Sequence, residues 1–163
     1  MTISLATAVP VRNEKELCAL LEVASTEVFR MMAGSELERT SQTPWKGAEF
    51  TAMVGLAGDL CGLLSVRCSQ DSASQVAALM LDLAPEKASE HAWDALGEIA
   101  NMIAGNFKNK LNGVSDRCML SVPTVITGAN YTFRSLAVAN PITLWFTFQG
   151  KPLAVTLEVK SQK

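Results

Sequence analysis

Two carboxylates and an amide recur at helical spacing near the middle of the chain. The segment 94–101 reads Asp-Ala-Leu-Gly-Glu-Ile-Ala-Asn, so Asp94, Glu98 and Asn101 follow one another at steps of four and three residues. In an α-helix of about 3.6 residues per turn, these three side chains point the same way. The stripe presents acids and an amide, groups with specific hydrogen-bonding chemistry, to whatever lies outside the helix. The simpler interpretation, a solvated helix face, stays open at this point.

An apolar stripe runs along the same segment at the same spacing. Residues two apart on a helix lie roughly 200° apart, so Glu98 opposes Ala100 and Asn101 opposes Ile103. We therefore expect one face to pack into a core while the other faces outward. The expected core residues are Trp93, Leu96, Ala100, Ile103, Phe107 and Leu111.

Length and composition limit the kind of protein. A chain of 163 residues favours a single domain over residues 1–163. A net charge of −2 with scattered basic residues argues against nucleic-acid binding. No apolar run approaches the ~20 residues of a membrane span, and residues 1–12 lack the pattern of a secretory signal. Because 48% of residues are hydrophobic and 18% are charged, apolar surface remains that a homo-oligomer could bury.

The thiols and the single histidine give no sign of a metal centre. Cys18, Cys61, Cys68 and Cys118 are dispersed without a C-x-x-C pair, and His91 stands alone. The ligand spacings of zinc sites are absent. The pattern is typical of reduced, mostly buried thiols in a cytoplasmic protein, so we expect no metal bound by the chain itself.

Capping and turn residues divide the chain into helices and strands. Asn13 and Gly34 bound the first helix, Gly58-Asp59 forms a hairpin turn, and residues 35–46 are expected to be a loop. The expected helices are 13–33, from Ser69 or Asp71 to 83, and 89–112, the last followed by Gly113. The expected strands are 48–56, 60–67, 119–123, 131–139, 142–149 and 153–160.

This order of elements predicts an α+β fold. A helix, a hairpin, two helices and a strand meander favour helices packed on one face of a largely antiparallel sheet. Residues 153–158 are apolar enough to suggest an edge strand that pairs with a second subunit.

Four separated positions resemble the signature of the CheC/CheX/FliY family. Asp94, Glu98 and Asn101, with Pro123 about twenty residues downstream, fill all four positions, and Gly97 precedes the glutamate as in the family. The resemblance extends upstream over 52–66 and covers most of the chain. The family fold that it implies agrees with the α+β prediction.

The single motif resembles the CheX branch of this family. CheC-like members usually carry the signature twice, whereas the first helix here offers Glu22 followed by Ser25 in place of the amide. CheX-like proteins are homodimers that dephosphorylate the response regulator CheY in bacterial chemotaxis. The resemblance therefore implies a protein phosphatase acting on a phosphorylated receiver domain, and a homodimer.

The resemblance also implies roles for the motif. Asn101 would hold the attacking water in line with the aspartyl phosphate, and Glu98 would pair with the lysine of the receiver. The receiver would supply Mg²⁺, so the chain needs no cofactor of its own, and no covalent phospho-enzyme is expected. Asp94 is either a contact at the rim of the interface or a favourable charge near a helix N-terminus.

A glycine inside a helix lowers the stability of that helix by about 1 kcal/mol relative to alanine, so the presence of Gly97 and Gly105 in this helix calls for an explanation. Close approach of a partner and close packing within the chain are both open. Pro123 is expected to shape the end of a strand beside the helix.

Three functions remain in competition. The first is the receiver phosphatase, and the second is a non-catalytic module of the same fold that docks a receiver or a flagellar-switch component. The third is a scaffold with an unrelated ligand site. The intact pair of Glu98 and Asn101 favours the phosphatase, since a binding module does not need the amide.

Overall fold

A computed structural model describes residues 13–41, 49–111, 113, 115–129, 131–132, 134–135 and 140–160. Helices cover one face of a seven-stranded sheet in which every strand pairing is antiparallel, so the predicted fold class is confirmed. The helices are α1 (Glu14–Ala33), α2 (Gln70–Leu81), α3 (Pro85–Ala88) and α4 (Ala92–Asn109). The strands are β1 (Leu37–Thr40), β2 (Phe50–Gly58), β3 (Gly62–Cys68), β4 (Cys118–Leu120), β5 (Thr124–Thr127), β6 (Ile142–Phe148) and β7 (Lys151–Val159).

The first helix has the predicted boundaries. The backbone N–H of Glu16 donates to the side chain of Asn13 at 2.8 Å, which satisfies one of the free donors at the helix start. Gly34 ends the helix in the left-handed conformation at φ 59°, where glycine has no steric penalty. The buried face packs on the sheet, and there the rings of Phe29 and Phe148 meet edge to face at 5.3 Å.

The hairpin and the second helix also follow the sequence prediction. Strands β2 and β3 pair from Phe50↔Cys68 to Leu56↔Gly62, with the predicted turn between them. Ser69 caps α2 by accepting a hydrogen bond from the N–H of Ser72 at 3.1 Å. The helix ends at Leu81, two residues before the predicted end, because Asp82 adopts the left-handed conformation at φ 53°.

The predicted edge strand is central, which corrects the expectation for residues 153–158. The sheet order is β1-β6-β7-β3-β2-β4, so β7 lies between β6 and β3. Every side chain from Leu153 to Leu157 is buried. Neighbouring strands on both sides shield the side chains of β7, and this explains the apolar composition better than an exposed edge does. The edges of the sheet are β1 on one side and β4 with β5 on the other.

One edge strand lies inside the predicted loop 35–46. Strand β1 pairs with β6 from Leu37↔Phe148 to Thr40↔Trp145. Its sequence, Leu-Glu-Arg-Thr, has a single fully buried side chain, Leu37. Short charged strands are common at sheet edges, where charges discourage further pairing, and such a segment has no alternation long enough to recognise.

The segment after α4 differs most from the prediction. The predicted strand 119–123 ends at Leu120, and a strand that the sequence did not predict, β5, begins at Thr124. The predicted strand 131–139 is not observed at its four described positions, 131, 132, 134 and 135. There the side chain of Tyr131 forms a hydrogen bond with that of Thr51. The remaining residues of that prediction lie outside the described part of the chain. No helix in the described ranges has the length and apolar character needed to cross a membrane.

Candidate functional site on helix α4

The helix that carries the polar stripe is preceded by two short helical turns. Pro85 opens α3, a 3₁₀ turn follows at Ser89–His91, and α4 begins at Ala92. The helix is therefore shorter than the predicted 89–112, and its last residue is Asn109. Tighter 3₁₀ turns are frequent at helix ends, where the regular bonding pattern starts or stops. Asn112 itself lies outside the described residues.

The expected core stripe of α4 is buried with one exception. Leu96, Ala100, Ile103, Phe107 and Leu111 are at most 1% exposed. Trp93, by contrast, is 56% exposed, so its assignment to the core was wrong.

The position of Trp93 along the helix explains the exception. Around the helix Trp93 lies within the buried arc, between Ala100 and Ala104, but it stands in the first turn, where the described residues leave it uncovered. Spacing alone places a residue near a face and does not say where the covering elements end.

The polar stripe lies on the outward side of α4. Asp94 and Glu98 are exposed and Asn101 is half-buried. Within the described part of the chain, none of these three side chains has an ion pair or hydrogen bond with another side chain. Two carboxylates and an amide are thus available to a group outside the protein.

Two glycines bracket Asn101 at one turn before and one turn after. A Cβ built at Gly97 would lie 3.3 Å from Cγ2 of Val125 and 3.8 Å from Cβ of Pro123. A Cβ built at Gly105 would lie 4.0 Å from Cδ1 of Leu120. The helix therefore packs against the segment 120–125 along the side that carries Asn101. A Cβ at position 97 would require Val125 to move by a few tenths of an ångström, whereas position 105 has room for one.

The segment facing these glycines contains a β-bulge. Leu56 of β2 pairs with Leu120 and Met53 pairs with Thr124, so the two residues 54 and 55 lie opposite the three residues 121–123. Ser121 remains bound to β2, because its N–H donates to the carbonyl of Gly55 at 2.9 Å. The extra residue re-aims the chain, as bulges beside functional sites commonly do.

The bulge turns the side chains of Val122 and Pro123 in different directions. Pro123 packs beside Gly97, as the expectation of a strand end beside the helix required. Val122 points outward and is 83% exposed. The spacing of the polar and apolar stripes of α4 gives no indication of Val122, which lies outside the helix. A proline inside a strand-like run is the one signal that could have indicated a bulge there.

Comparison with known proteins identifies the family. The model of a family described as chemotaxis phosphatase CheX matches residues 50–147, which include β2, the whole of α4 and the bulge. The chain belongs to the CheX family. The predictions of this family and of a protein phosphatase, a hydrolase, are confirmed.

Several individual CheX proteins are similar to the chain. It is 28% identical over 113 residues to the CheY-P phosphatase CheX of Thermotoga maritima, covering 69% of this chain and 72% of that protein. The crystal structure of CheX from Vibrio vulnificus superposes with a TM-score of 0.77 at 22% identity, over 91% of this chain and 100% of that one. CheX in a complex with CheY, BeF3 and Mg²⁺ from Borrelia burgdorferi gives 0.74 at 23% identity, over 88% and 97%. At these identities the two structures show a shared fold.

The first helix does not offer a second motif of the CheX family type. Ser25, at the position that would need an amide, is fully buried and donates to the carbonyl of Leu21 at 2.7 Å. Glu22 lies 3.5 Å from Arg39 of β1. Ser25 is therefore buried and bonded within its own helix, and Glu22 already has a cation beside it, so the two do not form an outward pair like Glu98 and Asn101.

The far end of α4 is tied to α1 by a polar cluster. Lys110 donates to Glu27 at 2.8 Å, and the amide of Asn106 donates to the same carboxylate oxygen at 3.1 Å. These two hydrogen bonds, that of Lys110 first, hold the pKa of Glu27 below its usual value. Because Asn106 follows Asn101 by little more than one turn, the cluster helps fix the orientation of the helix that carries the motif.

The described residues contain no grouping of three or more histidine, cysteine, aspartate or glutamate side chains suited to a metal ion. All four cysteines are free, and Cys61 is the exposed one among them. Burial raises the pKa of the Cys68 thiol to about 12. A buried thiol of that kind is inert toward nucleophilic chemistry.

Proposed function

We propose that this CheX-family phosphatase hydrolyses the aspartyl phosphate of a CheY-like receiver domain. In this proposal Asn101 orients the attacking water and Glu98 pairs with the active-site lysine of the receiver. The observation that carries the proposal is the joint presentation of Glu98 and Asn101 on one outward stripe, with neither side chain paired to another described side chain.

The chemistry needs positioning more than it needs a reactive group. An aspartyl phosphate is an acyl phosphate, and its hydrolysis forms a bond from water oxygen to phosphorus while the bond from phosphorus to the carboxyl oxygen breaks. The products are inorganic phosphate and the aspartate carboxylate. The side-chain carbonyl of Asn101 can accept from the water and its NH₂ can donate to a phosphate oxygen. Holding the water in line lowers the entropic part of the barrier without a covalent phospho-enzyme.

The half-buried position of Asn101 supports this role. The segment 120–125 packs beside the helix at Gly97 and Gly105, one turn before and one turn after Asn101, and Asn101 itself is half-buried. A side chain flanked in this way has fewer orientations than a fully exposed one. Less conformational entropy is then lost when the water is bound.

Glu98 and the metal complete the proposed site. An exposed carboxylate one turn from Asn101 suits a charge-assisted hydrogen bond to a lysine, which would fix how the receiver docks. Mg²⁺ would arrive with the receiver, and the chain would contribute no ligand to it. Asp94, one turn before Glu98, would contact the receiver at the rim.

The names of the relatives support a receiver as the partner. The Thermotoga protein is a CheY-P phosphatase, and the Borrelia structure holds CheX together with CheY, BeF3 and Mg²⁺. A homodimer, which rests on the sequence resemblance, and a cytoplasmic location, which rests on the dispersed cysteines, are further parts of the proposal. Sedimentation velocity over a range of concentrations tests the dimer directly.

Phosphate release tests the proposal. Receiver domains are phosphorylated with a small phosphodonor, and inorganic phosphate is followed with catalytic amounts of wild type, Asn101→Ala or Asn109→Ala. We expect wild type and Asn109→Ala, a control on the same helix, to accelerate release, and Asn101→Ala to lose the acceleration while still binding the receiver. Retained binding without acceleration by wild type would indicate a docking module instead. Wild-type rates in Asn101→Ala would refute the mechanism.

A further inference from the structure

Two large apolar side chains stand exposed beside the polar stripe. Trp93 is 56% exposed in the first turn of α4, and Val122 is 83% exposed in the bulge. Neither is a residue of the family signature. We call this pair the apolar rim of the site.

Both residues of the apolar rim lie close to the backbone of Gly97. Trp93 precedes Gly97 by four residues and therefore lies on the same side of α4, one turn earlier. Val122 is bonded to Pro123, whose Cβ lies 3.8 Å from a Cβ built at Gly97. Gly97 lies one turn before Asn101 on the same side of α4, so both residues of the rim lie near the N-terminal end of the polar stripe.

The charges beside the rim indicate what kind of surface would cover it. Glu90, Asp94 and Glu98 are exposed acids that succeed one another at steps of four residues. A complementary partner combines a cation with apolar surface next to it. A receiver domain that presents its active-site lysine would meet this requirement. The choice of a receiver as the partner rests on the function proposed above.

We propose that Trp93 and Val122 are the contacts by which this phosphatase selects among receiver domains. In the proposed complex Glu98 binds the lysine and Asn101 acts at the phosphate. Every phosphorylated receiver presents both groups, so these two residues cannot distinguish one receiver from another. The apolar rim meets the receiver surface beside the phosphorylation site, where side chains differ between receivers. Buried tryptophan is among the commonest residues that dominate binding, and its removal typically weakens binding tenfold or more.

The test compares variants on a panel of receivers. Trp93→Ala and Val122→Ala are measured for kcat, KM and the Kd for receivers loaded with beryllofluoride and Mg²⁺. Met31→Ala is the matched control, since Met31 is 62% exposed on α1, away from the site. Trp93→Phe checks whether an aromatic ring suffices. All three side chains are exposed, so urea unfolding of the four variants should show a fold like that of wild type.

We expect Trp93→Ala to raise KM and Kd about tenfold or more for the best receiver with kcat within about twofold, because such contacts bind ground state and transition state alike. The ratio of kcat/KM between the best and the poorest receiver should fall, and Trp93→Phe should lie in between. Unchanged KM and Kd, or an equal loss for every receiver, would overturn the selection role while leaving the phosphatase proposal standing. If wild type neither binds nor dephosphorylates any receiver, the function itself fails and this inference fails with it.

Discussion

Gly97 of α4 and Val125 of β5 are in such close contact that a Cβ at position 97 would lie 3.3 Å from Cγ2 of the valine. This contact sets how closely the helix approaches the segment after the bulge. Asn101 follows one turn later, so the same contact determines where its amide lies relative to that segment. A residue with no side chain therefore helps to position one with a proposed chemical role.

The two glycines should respond differently to alanine. Gly105→Ala meets Leu120 only at an ordinary 4.0 Å, so we expect the usual gain of about 0.5–1 kcal/mol in the free energy of unfolding for glycine to alanine in a helix. Gly97→Ala requires Val125 to move by a few tenths of an ångström, so its gain should be smaller or reversed. Urea unfolding of both variants measures the difference. Equal stabilisation would contradict the contact described for Gly97.

Glu98→Gln should weaken docking of a receiver without abolishing the fold. Glutamine keeps a hydrogen-bond acceptor but loses the negative charge, so the interaction with the lysine weakens and Kd for a receiver loaded with beryllofluoride should rise by up to about tenfold. The remaining affinity should also depend less on ionic strength, because salt screens the interaction that was lost. Isothermal titration at low and high salt tests both statements. Glu86→Gln on α3, also exposed, is the control and should leave Kd unchanged.

Glu27 should make stability dependent on pH in the acid range. Its folded pKa lies below the ordinary value of about 4.5 because of the hydrogen bonds from Lys110 and Asn106. Its contribution to stability is therefore present in full above about pH 4.5 and is lost as the pH falls through the lower folded pKa. Glu27→Gln should be less stable than wild type near neutral pH and should converge with it in acid. The effect is small, since the pair is partly exposed to solvent.

Urea midpoints at about pH 7 and about pH 3.5 measure this convergence. Glu38→Gln on β1, an exposed glutamate, serves as the control for the substitution and is measured at the same two pH values. A gap between Glu27→Gln and wild type that persists in acid would show that the hydrogen bonds do not depend on the charge of the carboxylate.

The thiols should react at different rates in the native protein. Cys61 is exposed, whereas Cys68 is buried with a pKa raised to about 12 by that burial. Because the thiolate is the reactive form, a disulfide reagent at neutral pH should label Cys61 rapidly and Cys68 only after unfolding. Mass spectrometry of the labelled peptides assigns each rate, and Cys61→Ser should remove the fast phase. Fast native labelling of Cys68 would contradict its burial.

The sequence was sufficient to predict those features that residues close together in the chain decide. The side chain of Asn13 and the left-handed Gly34 bound α1, and the turn after Gly58 joins β2 to β3, as predicted. The outward stripe of Asp94, Glu98 and Asn101 also follows from helical spacing alone. Each of these features depends on contacts within a few residues.

Long-range pairing decided the rest. Residues 153–158 look the same whether they form an apolar edge or a central strand, and only β6 and β3 on either side show that β7 is central. Leu37–Thr40 becomes a strand because β6 is beside it, since four residues of this composition carry little strand preference of their own.

The sequence by itself determined the helix, the spacing of its polar stripe and the α+β class, because hydrophobic periodicity and capping are local properties of the chain. The tertiary structure alone decided that Trp93 is exposed, that β2 faces a bulge at 121–123, and that this bulge turns Val122 outward while Pro123 lies beside Gly97. The physical reason is that exposure is a property of what covers a residue. For these residues the covering or pairing elements are distant in sequence and meet the helix only when the sheet is complete.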